Sequence, residues 1–382
     1  MSAKRRGKKV KNPTRRRFLL KGAGVAVAGA AATVAFPNVS RAQTTTLKMQ
    51  GAWGAKDIFN EMAEEYVTRV NEMSGGRLKI DYLVSGAVVK SFQVQDAVHK
   101  GVLDGGHGVT VYWYGKSKVA SLFGTGPVFG QTAHNGLAWI YRGGGQELYD
   151  ELIAKLGLNL VGFFAMPMPT QPLGWFKKEI KSSADMVGLK YRTVGLAADL
   201  MQSMGVKVTQ LPGGEIIPAL EKGVIEAFEF NNPTSDSRFG AHDVSKIYML
   251  GSYHQAAEFF EIIFNKDTFN RLAAEQKAIL KYAAEAASSA NFFTGMDNYS
   301  RDLQWLKNEQ GVKVIRTPQA VMNDQLDAWD NMIAKLEAED PFFKKVLKSQ
   351  KAFAHRVAYY ELLNSADYKL AYDHYFPGEL GF

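Results

Sequence analysis

The 382-residue sequence contains no cysteine, and several other patterns that support chemistry are also missing. Without cysteine, disulfide bonds, thiolate metal ligands and cysteine nucleophiles are excluded. The seven histidines form neither an HExxH motif nor a close pair, so a histidine-based zinc site has no support. The sequence also has no Walker-type lysine loop, no Gly-x-Ser-x-Gly elbow and no Gly-x-Gly-x-x-Gly motif opening a helix after a strand. Catalysis would therefore have no anchor residue, and we predict that the protein is not an enzyme.

Acidic residues are missing from the first 42 positions, although the rest of the chain has many. Residues 1–42 carry 11 lysine and arginine residues and no aspartate or glutamate. They account for the formal charge of +8, because the rest of the chain holds 35 basic against 38 acidic side chains. The electrostatic argument for binding a polyanion disappears beyond this segment, so we expect no nucleic-acid partner.

Long apolar runs are also rare, and the main one lies in the same segment. Residues 22–36 form an apolar stretch between a basic start and a small-residue site at 40–42, which is the layout of an export signal. A transmembrane anchor is disfavoured because the stretch is shorter than the ~20 residues that span a membrane. The run TRRRFLL at 14–20 resembles the twin-arginine signal, which exports folded proteins. We therefore expect residues 1–42 to be a signal that is cleaved after Ala42, and the remainder to reside in the periplasm.

From Thr44 onward, short apolar runs alternate with helical patterns, which is typical of an α/β architecture. Residues 47–50 are predicted as a first strand, 57–74 as an amphipathic helix and 78–83 as a second strand. A helix is predicted at about 92–100, and further strands are predicted at 159–164, 174–176, 188–192, 226–230 and 258–264.

Two stretches, 95–104 and 217–226, resemble each other. In each, a helix ends at Lys-Gly and an apolar pair leads to an acidic residue. The glycine, Gly101 or Gly223, supplies the left-handed residue that ends a helix, and the apolar pair begins a strand. Unless this short likeness is a coincidence, the chain contains two similar α/β lobes. A cleft between two such lobes is a preferred place for a small ligand.

The C-terminal part is predicted to be mainly helical. Residues 274 to about 310 form one helical pattern, and a helix of ~37 residues would extend ~55 Å. Such a helix must bridge the lobes, protrude or pack on another subunit, which favours a homodimer. Further helices are predicted at about 318–336 and 341–364. The predicted division is mostly lobe 1 in 43–170, mostly lobe 2 in 171–265, and the long bridging helix with C-terminal helices packing across both lobes in 266–382.

Aromatic and polar residues recur at the predicted ends of strands. In α/β sheets the carboxyl ends of the strands face the ligand crevice, so residues at these positions are expected to converge. The candidate ligand-binding residues are Trp53, Tyr114, Gln171, Arg192, Glu229, Phe230, Asn231 and Tyr253.

Arg192 and Glu229 are the two candidates with opposite charge. The Arg192 guanidinium offers a rigid fork of donors that can hold a carboxylate, unless it forms an ordinary surface salt bridge. Glu229 would repel an anionic ligand unless a bound cation neutralised both carboxylates. Sodium or calcium takes oxygen ligands, which Gln171 and a backbone carbonyl near Phe230 could supply. In the alternative, Glu229 simply pairs with a nearby lysine or arginine.

At these residues the sequence resembles the solute-binding proteins of tripartite ATP-independent periplasmic (TRAP) transporters, the DctP-type family, over roughly Thr45 to Phe382. The strand that contains Arg192 is the most specific part of the resemblance. The segments that carry it are MQGAW at 49–53, QPLGWF at 171–176, GLKYR at 188–192 and GVIEA at 223–227, which runs into Glu229.

The resemblance implies a two-lobed periplasmic solute-binding protein fold with a hinge and long C-terminal helices, closing on a carboxylate that Arg192 clamps. The subgroup that binds 2-oxo acids or lactate with a metal ion is the most similar. It implies a sodium or calcium ion held by Gln171, Glu229 and the carbonyl of Phe230, and no organic cofactor. Phe230 stands where similar proteins often have tryptophan, which alters the shape of the pocket. Some members dimerise by exchanging a C-terminal helix.

The predicted function is capture of a small organic acid, a 2-oxo monocarboxylate or lactate, and its delivery to TRAP membrane subunits. Two alternatives stay open. The protein could be the receptor of an ATP-driven (ABC) importer, which shares the two-lobed plan, or a periplasmic enzyme on a similar scaffold.

Overall fold

The computed structural model describes residues 44–382. The predicted export signal at 1–42, with its twin-arginine run, lies outside the described residues. Within 44–382 the chain forms two β-sheets with helices packed around them, which confirms the predicted α/β class. No helix in this range combines the length and the apolar character that crossing a membrane requires.

The first sheet begins with a strand, a helix and a second strand. β1 (Thr45–Gly51) pairs in parallel with β2 (Leu78–Leu83), and α1 (Ile58–Met73) connects them. Asp57 caps α1, because its carboxylate accepts a hydrogen bond from the Phe59 amide at 3.1 Å. The predicted helix and second strand are confirmed here, and β2 has its predicted bounds.

The first sheet is completed by strands from distant parts of the chain. The next elements are α2 (Val94–His99), β3 (Gly105–Gly108), α3 (Ala133–Arg142), α4 (Gly145–Lys155) and β4 (Leu160–Met168). A later strand, β10 (Glu258–Asn265), lies between β3 and β4 and is antiparallel to both. All of its residues are buried, so β10 forms the centre of this lobe. The strand order is β2-β1-β3-β10-β4.

The second sheet repeats the arrangement of the first. Its strands are β5 (Gly174–Phe176), β6 (Lys190–Arg192), β7 (Lys207–Thr209), β8 (Ala227–Phe228), β9 (Ile247–Leu250) and β11 (Lys313–Arg316), in the order β11-β9-β5-β8-β6-β7. Its helices are α5 (Leu196–Ser203), α6 (Ile216–Glu221), α7 (Pro233–Arg238) and α8 (Ala241–Val244). β6 pairs in parallel with β7 and β8, as β1 does with β2 and β3.

The predicted internal likeness is confirmed in the two sheets. After α2 and α6, the backbone turns at a left-handed glycine, with φ of 73° at Gly101 and 69° at Gly223. The acidic residue that follows plays the same part in both lobes. Asp104 accepts a hydrogen bond from an amide of β1, and Glu226 accepts one from an amide of β6. β1 and β6 are therefore equivalent strands of two similar lobes.

The chain crosses between the lobes more than once. It passes from β4 to β5 at 169–173 and returns from β9 to β10 at 251–257. These two crossings are hydrogen-bonded to each other, because the backbone N–H of Gln171 donates to the backbone carbonyl of Gln255 at 3.0 Å. The return crossing puts β10 in the first sheet, although the sequence-based division grouped it with the residues of mostly lobe 2.

A long helix provides a third connection. After α9 (Lys266–Arg271), α10 (Ala274–Asn308) runs for 35 residues, about 52 Å at 1.5 Å per residue. It packs against α1 and β4 of the first lobe and α7 of the second, and then leads to β11. Of the arrangements considered for this helix, bridging the lobes is therefore the one observed within the chain.

The last helices contact both lobes. α11 (Gln319–Glu339) packs against α5 of the second lobe, whereas α12 (Pro341–Asn364) packs against α3 and α4 of the first. The bounds of α12 match the prediction. A short final helix, α13 (Tyr368–Tyr375), presents its apolar side chains to solvent.

Candidate functional site

A small pocket lies between the two lobes and receives side chains from both. Its polar lining consists of Gln171, Arg192, Asn231 and Glu258, and its apolar lining of Trp53, Phe59, Val109, Val111, Tyr112, Val194, Phe230 and Phe260. The pocket therefore combines charged and polar groups with an apolar lining, as a small organic ion with a carbon skeleton would require.

Arg192 is the buried cation of this pocket. It ends β6 and is only 1% exposed. Nε donates to the carbonyl of Leu211 at 2.8 Å, and Nη1 donates to the carbonyl of Glu229 at 2.8 Å and to its carboxylate at 3.0 Å. Within residues 44–382, Nη2 makes no hydrogen bond, so it is the nitrogen left for a ligand. The alternative of an ordinary surface salt bridge is wrong, because the ion pair is buried.

Glu229 follows β8 directly and is fully buried beside Arg192. One carboxylate oxygen of Glu229 forms an ion pair with an arginine, as the alternative prediction stated. The other oxygen, Oε2, is buried and accepts no hydrogen bond of normal geometry within residues 44–382, although the Thr193 and Gln255 side chains are near enough to lower the pKa of this carboxyl group. Burial raises the pKa of Glu229 to about 7, although the Arg192 guanidinium opposes that rise. An unsatisfied buried carboxylate oxygen is costly, and a cation would satisfy it.

Gln171 is held in place from two sides. Gln255 Nε2 donates to the side-chain oxygen of Gln171 at 3.0 Å, and Gln171 Nε2 donates to Glu258 Oε2 at 2.8 Å. The side chain of Asn231 donates to the same Glu258 oxygen. The amide oxygen of Gln171 therefore has one acceptor position left, since an amide oxygen carries two lone pairs.

Glu258 is a pocket residue that the sequence analysis missed. Burial raises the pKa of its carboxyl group to about 8, although the hydrogen bonds from Gln171 and Asn231 oppose the rise. The only sequence signal is an acid at the start of the otherwise apolar run EFFEIIF at 258–264. Acids rarely enter such a buried strand without a specific partner.

The structure separates the eight predicted ligand-binding residues into two groups. Six of them line the pocket or adjoin it, namely Trp53, Gln171, Arg192, Glu229, Phe230 and Asn231. The other two, Tyr114 and Tyr253, are not among the residues that line it. The hydroxyl of Tyr114 donates to Asp199 of α5 at 2.6 Å, and it is Tyr112, two residues earlier, that lines the pocket.

Tyr253 is the other residue that the structure places outside the pocket. Its amide donates to Gln325 of α11 at 2.8 Å, and its carbonyl accepts a hydrogen bond from Trp329 at 2.7 Å. Tyr253 therefore fixes the return crossing against α11. These are backbone contacts, and the role of Tyr253 as a ligand contact stays a prediction.

The donor set of the candidate cation site is built from oxygen atoms. Residues 44–382 contain no group of three or more histidine, aspartate and glutamate side chains that could hold a metal ion. The predicted set of Gln171, Glu229 and the Phe230 carbonyl contains one carboxylate and two neutral oxygens. Such a set suits hard cations such as sodium or calcium and is unsuited to softer metals.

Two aromatic side chains and an ion pair lie at the mouth of the pocket. Trp53 and Phe230 separate it from a larger outer cleft, because both side chains line both spaces. On the rim of that cleft, Arg238 of α7 pairs with Glu61 of α1 at 2.6 Å. The lobes are therefore joined over the pocket, which corresponds to a closed form.

The matches to known proteins agree with this geometry. The sequence profile of bacterial extracellular solute-binding protein family 7 (DctP) matches residues 49–340.

The chain belongs to this family.

Relatives of this solute-binding protein have been named and solved. A monocarboxylate 2-oxoacid-binding periplasmic protein of Nostoc sp. is 33% identical over 307 residues, which cover 80% of this chain and 83% of that protein. A TRAP periplasmic solute-binding protein of Pseudoalteromonas atlantica, solved with sodium and pyruvate, superposes with a TM-score of 0.79 at 30% identity. The superposition covers all of that protein and 87% of this chain.

A second solved relative comes from Bordetella bronchiseptica. This TRAP transporter solute-binding protein superposes with a TM-score of 0.81 at 28% identity, over 87% of this chain and 97% of its own. It is described as a dimer of mixed occupancy, with calcium and picolinate in one active site and an apo second site. The two-lobed solute-binding fold expected from the sequence is thereby confirmed.

Proposed function

We propose that this protein is the extracytoplasmic receptor of a TRAP transporter for a small 2-oxo monocarboxylate or lactate. It would bind the acid together with a sodium or calcium ion in the periplasm and deliver it to the membrane subunits. The observation that carries the proposal is the buried Arg192 guanidinium, which is directed into a closed pocket between two lobes.

Arg192 is the proposed anchor for the ligand carboxylate. Glu229 and the Leu211 carbonyl fix the guanidinium, so it pays little conformational entropy when a ligand binds. Nη2 then donates to the carboxylate, and a hydrogen bond between two charged groups contributes ~1.5 to 3 kcal/mol. The apolar wall receives the short carbon chain of the acid and excludes water from the ion pair.

A cation is supported by the charges in the pocket. Glu229 already balances Arg192, so an incoming carboxylate would add a negative charge to a buried site. Glu229 Oε2, Gln171 and the Phe230 carbonyl would hold the cation, and the unsatisfied Oε2 fits that role. The ion supplies the positive charge that offsets the ligand, while the protein residues bind and orient it.

Lobe closure is the proposed transport signal. A ligand that contacts both lobes stabilises the closed form over the open form, and the closed form is then presented to the membrane subunits. This mechanism needs no bond-breaking step. The name of the Nostoc relative and the ligands of the two solved relatives favour this reading over an ABC receptor or an enzyme.

The test is to replace Arg192 by methionine and to measure pyruvate and lactate binding by calorimetry, in sodium and in calcium buffers. We expect Arg192→Met to weaken binding at least tenfold, because the charged hydrogen bonds are lost. Arg301→Met serves as a control, since Arg301 is exposed on α10 and pairs within that helix. Unchanged affinity in Arg192→Met would rule out the proposed anchor.

The cation is tested separately on the unaltered protein. Chelator treatment followed by dialysis into sodium-free buffer should weaken pyruvate binding, and adding back sodium or calcium should restore it. Binding that is indifferent to both cations would contradict the proposed cation site while leaving the role of Arg192 intact.

A further inference from the structure

Glu258 occupies a junction between three segments of the chain. It is the first residue of β10, in the first lobe, where the return crossing ends. Its Oε2 atom accepts one hydrogen bond from Gln171 in the outgoing crossing and another from Asn231 in the second lobe. One carboxylate oxygen therefore joins the first lobe, the second lobe and the crossing between them.

The bond to Gln171 determines which end of that amide faces the candidate cation site. Because Nε2 of Gln171 donates to Glu258, the side-chain oxygen is the atom that accepts from Gln255 and that remains available to a cation. An amide that rotated by half a turn would present its NH2 group, which carries only donors and repels a cation. Glu258 thus orients Gln171 without itself contributing to the predicted cation ligands.

The bond to Asn231 depends on the relative position of the lobes. Asn231 follows Phe230 in the loop after β8, in the second lobe, whereas Glu258 lies in the first sheet. A hydrogen bond between side chains on opposite lobes lasts only while the lobes stay close, since donor and acceptor must lie within about 3.2 Å. The hydrogen bonds of this one oxygen therefore depend both on the position of the Gln171 side chain and on the closure of the lobes.

We propose that Glu258 couples the candidate cation site to lobe closure, by holding Gln171 and Asn231 on a single carboxylate oxygen. It is a positioning residue: it acts on the cation through Gln171 and on closure through Asn231. The inference rests on the proposed function, because it assigns a role within the same binding site.

The chain offers a matched control for this role. Glu261 lies three residues further along β10, is equally buried, and accepts a hydrogen bond from Tyr149 at 2.8 Å. Both Glu261 and Tyr149 belong to the first lobe, so their bond does not cross the pocket. A purely structural effect of removing a buried glutamate from β10 should therefore appear equally at both positions.

The experiment compares Glu258→Leu, Glu258→Gln and Glu261→Leu in the whole protein. Pyruvate affinity is measured over a range of sodium and calcium concentrations, and ligand-induced compaction is measured by small-angle X-ray scattering. We expect Glu258→Leu to lose most of the cation dependence and most of the compaction. Glu258→Gln should restore both, because an amide oxygen also accepts two hydrogen bonds. Glu261→Leu should lower the melting temperature yet keep both responses.

Several outcomes would overturn the coupling. It fails if Glu258→Leu keeps the cation dependence and compaction of the wild type, or if Glu261→Leu loses them equally. Asn231→Ala gives a second test should Glu258→Leu not fold. That variant keeps the bond between Glu258 and Gln171, so cation dependence should persist while compaction at saturating pyruvate falls. Full compaction of Asn231→Ala would refute the proposal. Failure of the wild type to bind any 2-oxo acid would instead count against the proposed function.

Discussion

At the scale of single residues, buried carboxyl groups control how stability depends on pH. Burial raises the pKa of Glu261 from its ordinary value of 4.5 to about 8. The unfolded chain therefore loses this proton at a lower pH than the folded protein does. Its contribution favours folding at low pH and is lost as the pH rises through the range from about 4.5 to 8.

We expect Glu261→Gln to flatten part of this pH dependence. An uncharged amide has no proton to lose, so the difference in melting temperature between pH 5 and pH 8 should shrink by several degrees. Thermal unfolding followed by circular dichroism measures the effect, with the exposed Glu72→Gln as a control. An unchanged pH profile in Glu261→Gln would mean that Glu261 ionises normally in the folded protein.

Gly174 is a second residue whose identity is fixed by its surroundings. Its φ is 135°, and a Cβ atom at this position would lie 2.2 Å from the carbonyl oxygen of Phe228. We expect Gly174→Ala to cost roughly 3 kcal/mol or more, because overpacking adds to backbone strain. Gly188→Ala, where a Cβ meets open space at φ of 78°, should cost only about 1 to 2 kcal/mol. Urea unfolding of both variants separates the two effects.

The sequence was sufficient for some pocket residues and insufficient for others. Arg192 and Glu229 could be predicted because they end strands of a parallel unit, and such ends face one crevice. Glu258 could not, because its strand enters the first sheet only through pairing with β3 and β4, which are distant in the sequence. The sequence could not separate Tyr112 from Tyr114, because Tyr112 lies in a short 3₁₀ helix and Tyr114 directly follows it, so that only the folded chain decides which of them lines the pocket.

At the scale of whole elements, α1 and α7 form the contact that holds the lobes together over the pocket. Arg238 pairs with Glu61 and also donates to the Lys56 carbonyl, and Ser235 donates to Asp57 at 2.8 Å. These partly exposed contacts are individually weak, but separation of α1 from α7 on opening would break them. They therefore bias the equilibrium between open and closed forms.

We expect Arg238→Ala to weaken ligand binding about two- to five-fold, which corresponds to ~0.5 to 1 kcal/mol for an exposed ion pair. Calorimetry with pyruvate measures this change. Arg301→Ala is the control, because Arg301 forms a similar ion pair with Asp297 inside α10. Equal affinities in the two variants would show that the contact between α1 and α7 does not contribute to closure.

Element positions were easier to predict than their pairing. The bounds of β2, β5 and α12 match the expectations, because each is a clear periodic or apolar run. Of the strand predicted at 226–230, only Ala227–Phe228 form β8. The residues that follow leave the sheet and line or adjoin the pocket. The lobe to which β10 belongs is determined by the return crossing at 251–257. No local sequence pattern predicts that crossing.

At the scale of the whole molecule, the C-terminal end of the chain presents an exposed apolar surface. The homodimer expected from the sequence would place its interface on this surface. Large exposed apolar patches mark interaction sites. The exposed apolar residues on α12 and α13 are Tyr359, Tyr360, Leu362, Leu363, Tyr368, Leu370, Tyr372 and Tyr375.

We expect the double variant Leu362→Lys and Leu363→Lys to be monomeric, because it buries two charges in the proposed interface. Size-exclusion chromatography with light scattering measures the mass. Val187→Lys is the control, since Val187 is an equally exposed apolar residue of the second lobe. A wild-type protein that is monomeric at micromolar concentration would contradict the proposed interface.

The α10 helix limits how the receptor can open. It is continuous over 35 residues and is packed against elements of both lobes, so it acts as a stiff strut between them. The two crossings are hydrogen-bonded to each other. With a continuous helix and two bonded crossings between them, we expect the lobes to rotate relative to each other and not to separate. On this geometry we expect the acid to enter and leave through the same opening between the lobes.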